Sequence, residues 1–129
     1  MNEGPRKLAS RVAAKFGPFE CEACAAEIIK KLGRGSEATM LRIRPGDGSS
    51  VIGLVTTGAL VSNNRSHVGI RIGGLVFDNF HADGVPAGQW LPEFMTRTGA
   101  PLILEQRPIS DFFGARFRRH QFRDWVFGD

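Results

Sequence analysis

From Ser66 to Phe80 apolar and polar residues alternate, SHVGIRIGGLVFDNF, and one Gly73-Gly74 pair interrupts the alternation. A period of two marks strands, and adjacent glycines supply the left-handed backbone of a two-residue hairpin turn. With that turn, Ile72 pairs with Leu75, Ile70 with Phe77, Val68 with Asn79 and His67 with Phe80. One face then carries Val68, Ile70, Ile72, Leu75 and Phe77 and is expected to be core. The opposite, non-core face carries His67, Gly69, Arg71, Val76 and Asp78. His67 stands diagonal to Asp78, about 7–8 Å away between backbones and within reach of long side chains. Gly69, opposite Asp78, leaves room there. An imidazole beside a carboxylate has the form of a base and its orienting partner.

Upstream the period lengthens. Leu8, Val12 and Phe16 recur every four residues in PRKLASRVAAKF, which predicts a helix over Pro5–Phe16 opened by proline and ended by Gly17-Pro18. Ala25, Ile28, Ile29 and Leu32 form the stripe of a second helix that Cys24 opens and Gly33 closes. A thiol in a first helical turn meets unpaired amide hydrogens and the positive end of the macrodipole, which favour thiolate at Cys24. Met40–Ile43 reads as a strand, Pro45–Gly48 as a turn, and Val51–Val61 as short strand-like pieces. Ser62–Arg65 is a loop delivering His67. Past the hairpin, His81–Pro86 reads as a loop and Pro86–Arg97 as a helix, although Pro92 implies a break or a late start. Leu102–Glu105 is a short strand. Ser110-Asp111 caps a last helical segment rich in Phe112, Phe113, Phe117, Phe122, Trp125 and Phe127. The expectation is an α+β fold, with the nucleophile helix packed on a small antiparallel sheet.

The 129 residues are enough for one domain, residues 1–129, with a core that needs no staples. No apolar run approaches the length of a membrane span, and Met1–Phe19 lacks the core of a signal peptide. Neither a membrane nor a nucleic-acid partner is expected: the net charge is only +4, and Arg116, Arg118, Arg119 and Arg123 read as a solvated helix face. Cys21 and Cys24 are the only cysteines. Their CxxC spacing lacks the second pair a zinc site needs, and His67, His81 and His120 have no ligand spacing. A thioredoxin-type motif would follow a strand, whereas a helix precedes this one. No metal or cofactor is expected.

What remains is a cysteine at a helix start, then a histidine entering a strand, then an acidic residue on the next strand. The chain resembles the papain fold toxin 2 family, papain-like toxin domains of bacterial polymorphic toxin systems. The resemblance rests on Phe19-x-Cys21-x-x-Cys24-Ala25 running into Ile28 and Leu32, on Asn64-x-x-His67-Val68-Gly69-Ile70, and on Val76-Phe77-Asp78-Asn79 followed by Gly84 and Trp90-Leu91. It implies Cys24 as nucleophile, His67 as general base and Asp78 as orienter, with Cys21 a competitor for the nucleophile's place. It further implies the C-terminal effector module of a longer protein, delivered by a larger fusion or a secretion system. Such a module acts on a protein substrate in the target-cell cytoplasm and is neutralised by a cognate immunity protein. Phe16–Ala23 lacks the glutamine that papain-like proteases use at the oxyanion, which leaves the amide hydrogen of Cys24 and a second donor that the sequence does not identify.

Three functions are compatible with these residues. The first is a cysteine peptidase working through a thioester. The second is a glutamine or asparagine deamidase with the same intermediate, and the third a papain-like binding module without chemistry. In the catalytic readings Asp78→Asn is expected to keep the fold and part of the activity, because an asparagine carbonyl can still accept a hydrogen bond from the imidazole.

Overall fold

The structure is a computed structural model and describes residues 4–128. Two helices, α1 (Pro5–Ala13) and α2 (Cys21–Leu32), precede a run of strands: β1 (Thr39–Pro45), β2 (Ile52–Leu54), β3 (Leu60–Ser62), β4 (His67–Ile72), β5 (Leu75–Asp78) and β6 (His81–Pro86). A four-residue helix α3 (Ala87–Trp90), a 3-10 turn (Leu91–Glu93) and β7 (Phe94–Thr96) follow. The described chain closes with β8 (Leu102–Pro108), a 3-10 turn (Ile109–Phe112) and α4 (Arg119–Phe127). Five strands form one antiparallel sheet in the order β6-β5-β4-β1-β8, and three form a second in the order β3-β2-β7. None of the described helices is long and apolar enough to cross a membrane.

The hairpin register is as the alternation predicts from Ile72↔Leu75 through Ile70↔Phe77, with Gly73 left-handed at φ 60°. Beyond Phe77 the predicted pairs Val68 with Asn79 and His67 with Phe80 do not form. There β4 continues on β1, through Ile43↔His67, while β5 turns onto β6, through Asp78↔His81. The two strands therefore diverge between His67 and Asp78.

Both faces of the large sheet are covered. Met40, Val68, Ile70 and Phe77 point toward α1, α2 and α4 and share one core with Ala9, Val12, Ile28, Ile29, Phe112 and Phe122. Leu41, Ile43 and Val76 point the other way and pack with Ile52, Leu54, Val61, Trp90 and Phe94. The face expected to be non-core is thus a second core, and His67 and Asp78 lie within it, 0% and 1% exposed.

Three further expectations change. The helix foreseen over Pro86–Arg97 is cut to α3 and a 3-10 turn by Pro92, and Phe94–Thr96 becomes strand. His81–Pro86 is an edge strand rather than a loop; its sequence HADGVP lacks apolar alternation because neither face is fully buried. Helix α2 starts at Cys21, three residues before the predicted start, because the Cys24 amide already donates to the Glu20 carbonyl at 2.9 Å. Glu20 makes no side-chain cap bond, so the usual marker of a helix start is missing.

Candidate active site

Cys21 is the first residue of α2, so its own amide precedes the first intrahelical hydrogen bond, whereas Cys24 lies a turn further in. The two thiols have different surroundings. Cys24 is fully buried, and burial, then the Asp78 carboxylate and the Cys21 thiol, push its pKa up to about 12. Cys21 is 5% exposed and is the thiol that acts on His67. The sequence reading that made Cys24 the nucleophile and its amide hydrogen the oxyanion donor therefore meets two obstacles. The thiol is held protonated in the core, and the amide already serves the helix.

His67 opens β4 where the strands diverge, and its Nε2–H donates to Asp78 Oδ2 across the gap at 2.8 Å. Its ring stacks on Trp90, with centroids 5.8 Å apart, and lies 4.8 Å from Phe94. Nδ1 makes no hydrogen bond although it is buried. With Nε2 committed to Asp78, Nδ1 is the nitrogen left for the thiol of Cys21. Burial alone would lower the His67 pKa, but the Asp78 carboxylate and Cys21 outweigh it and raise it to about 9.

Asp78 is saturated. Oδ2 accepts from His67 Nε2 and from Trp90 Nε1 at 2.8 Å each, and Oδ1 accepts from His81 Nδ1 at 2.8 Å and the Phe80 amide at 2.9 Å. Burial would raise its pKa, yet the two histidines hold it far below the ordinary carboxylate range. The bond to Phe80 is an Asx turn, which sends the chain from β5 into β6 and brings His81 beside the carboxylate. Gly69 makes room for the indole, since a Cβ there would stand 3.0 Å from Trp90 Cζ2 and 2.9 Å from Val76 Cγ1.

The connections that deliver Cys21 and His67 each pass through a left-handed residue, Phe19 at φ 67° two positions before Cys21 and Arg65 at φ 75° two before His67. Non-glycine residues hold such backbone only where the surroundings enforce it. On the Cys21 side Asn79 Nδ2 donates to the Gly17 carbonyl at 2.8 Å. On the His67 side Ser66 Oγ donates to the Val126 carbonyl at 2.6 Å. Among the described residues no cluster of three or more histidines, cysteines or acids is arranged to hold a metal.

His67 and Asp78 meet as expected, but across diverging strands rather than through the predicted pairing of His67 with Phe80. Trp90, His81 and Asn79 have roles that sequence reasoning missed. The available signal was the Asp78-Asn79 pair, a turn former that folds the next residues back onto the aspartate.

No curated protein and no solved structure matches the chain significantly. The model of one family, papain fold toxin 2, matches residues 6–95. That span contains Cys21, His67, Asp78, His81 and Trp90 and stops before β8 and α4. Over most of its length the chain thus carries a papain fold, the fold of cysteine-nucleophile enzymes, and it belongs to the papain fold toxin 2 family.

Proposed function

We propose that the protein is a toxin hydrolase that breaks an amide bond in a target-cell protein, with Cys21 as nucleophile, His67 as acid and base, and Asp78 orienting the imidazole. One observation carries this reading: His67 has one nitrogen bonded to a buried carboxylate and the other unpartnered, beside a thiol at a helix start. As sulfur attacks the carbonyl carbon, the thiol proton passes to Nδ1. Charge gathers on the carbonyl oxygen, for which the amide hydrogens of the first turn of α2, that of Cys21 included, are donors. Collapse breaks the C–N bond, His67 protonates the leaving nitrogen, and the acyl group stays on sulfur as a thioester. Water then attacks, gives its proton to His67, and the departing sulfur recovers a proton from the imidazole.

Peptide-bond cleavage is the leading reading. Side-chain deamidation is the second, and the 5% exposure of Cys21 favours it, because a slender glutamine or asparagine amide needs a smaller opening than an extended backbone. Delivery by a larger fusion or a secretion system, action in the target-cell cytoplasm and neutralisation by a cognate immunity protein belong to the same proposal.

The test is expression in bacterial cytoplasm of the wild type, Cys21→Ala and Cys24→Ala, followed by growth measurement and whole-proteome comparison. Wild type and Cys24→Ala should arrest growth and produce new protein termini, and Cys21→Ala should do neither. Whole chains carrying glutamate for glutamine, or aspartate for asparagine, would select deamidation. Activity in Cys21→Ala but not in Cys24→Ala would return the nucleophile to Cys24. A binding module would instead alkylate with iodoacetamide no faster than free cysteine in every variant.

A further inference from the structure

His81 sits between two carboxylates. Its Nδ1 is 2.8 Å from Asp78 Oδ1 and its Nε2 is 3.0 Å from Glu93 Oε1. An ionised carboxylate only accepts, and a neutral imidazole has a single N–H. A neutral His81 would therefore turn a lone pair toward one of the two oxygens. Only the imidazolium, with a donor on each nitrogen, satisfies both contacts. The ring is partly buried, with the edge of Phe94 against it at 5.9 Å, so the ion pairs are shielded on that side.

Every element around His81 contributes to this assignment. Asp78 comes from β5 and Glu93 from the 3-10 turn after α3, and these are the charged groups that act on the ring. His67 lies across Asp78. From α1, which packs along β6, Ser10 contacts Asp83 rather than His81. Burial would lower the His81 pKa, and the two carboxylates raise it.

We propose that His81 and Glu93 are a positioning pair for the hydrolytic site, an imidazolium clamp that fixes Oδ1 of Asp78 and so leaves Oδ2 aimed at His67 and Trp90. The clamp also draws charge from Asp78 and so moderates how strongly that carboxylate, bonded at Nε2, stabilises the His67 imidazolium, whose Nδ1 proton must pass to the departing nitrogen in each turnover. The Glu93 carboxylate makes its hydrogen bond and ion pair to His81 rather than to His67 or the thiol; it acts by keeping His81 charged. This assignment rests on the Cys21–His67–Asp78 reading.

The experiment uses protein labelled with nitrogen-15 at histidine, with Glu93→Gln and His81→Gln variants, the latter identifying the His81 resonances. Imidazole titrations are followed by NMR, and Cys21 alkylation by iodoacetamide is measured against pH in a Cys24→Ala background. The His81 midpoint should lie above the ordinary imidazole value in the wild type, with both nitrogens protonated below it, and should fall by about one pH unit in Glu93→Gln. The alkylation profile should move in the same variant, although the Glu93 carboxylate is bonded to His81 and not to the sulfur. A His81 that titrates at or below 6.5, or an alkylation profile indifferent to Glu93→Gln, overturns the clamp. If instead Cys21 alkylates at the free-cysteine rate and is unaffected by His67→Ala, the hydrolase reading itself falls, and any persistent His81 charge is structural only.

Discussion

The large sheet buries a charged group on each of its faces, Arg42 beneath α4 and Asp78 beneath the indole of Trp90. Arg42, 3% exposed, donates from Nε and Nη2 to Glu105 Oε1 at 3.2 and 2.8 Å and from Nη1 to the Trp125 carbonyl, and its guanidinium lies 4.5 Å over the Trp125 ring. Each of its nitrogens has a partner, which makes a clamp between β1, β8 and α4. Asp78 is equally well served, but the residue it holds is not: His67 Nδ1 is buried with no hydrogen bond. Burying a polar atom without a partner costs about 1–3 kcal/mol. In the proposed hydrolase reading that difference, a fully satisfied Arg42 against a His67 Nδ1 left without a hydrogen bond beside a thiol, makes the second cluster the reactive one.

The sharpest way to break this contrast is at the thiol. Cys21→Ala should lower activity by at least about three orders of magnitude, and His67→Ala by about two to four, with the fold intact by circular dichroism. Equal losses in a Cys24→Ala variant would show that the buried thiol also takes part.

Next is Asp78→Asn, for which the structure revises the expectation of a mild effect. An asparagine has one acceptor oxygen, so its NH2 would face either the His67 and Trp90 donors or the His81 and Phe80 donors. Leaving that pair unmatched should cost about 2–5 kcal/mol in urea unfolding, with activity lost as well. The same variant tests the pH dependence. The Asp78 carboxyl is depressed in the folded state, so its contribution is present above its unfolded value of 3.8 and disappears as pH falls. His67 is raised, so its contribution is full below 6.5 and is lost as pH rises through about 9. Stability should therefore decline toward both acid and alkali in the wild type, with both slopes smaller in Asp78→Asn.

Arg42→Met addresses the satisfied cluster. It should cost about 2–3 kcal/mol, moderated because Glu105 is one-third exposed and can rehydrate, while activity per folded molecule stays unchanged. A loss of specific activity with stability preserved would erase the distinction between the clusters.

Smaller still, Trp90→Phe keeps an aromatic ring in the second core but removes one donor to Asp78, and should cost about 1–2 kcal/mol. Its distinguishing sign is a shift in the pH optimum. Least of all, Cys24→Ala should leave activity within about threefold and stability within about 1 kcal/mol.

The hairpin register and the His67–Asp78 pair were legible because alternation and a glycine turn act within 15 residues. Burial of the His67 face was not, since the three-stranded sheet that covers it is assembled from pieces as distant as Ile52 and Thr96. The start of α2 was placed one turn late for want of a capping side chain, so that Cys21 was read as lying before the helix rather than as its first residue. Of the arginines near α4, Arg119 and Arg123 reach Glu22, beside Cys21, so part of the expected solvated face is a tie to the site's helix. Sequence spacing does not disclose such a contact.

Ser66, immediately before His67, is bonded to a carbonyl 60 residues later, and Arg42 to one 83 residues later. That separation along the chain becomes an order in time. During synthesis Cys21, His67 and Asp78 all emerge before either tether to α4 can form, and closures over such spans come late in folding. A chain stalled before residue 119 should thus hold every group of the proposed site and still show only free-cysteine reactivity at Cys21. Completion of α4, rather than the appearance of the nucleophile, would then arm the molecule.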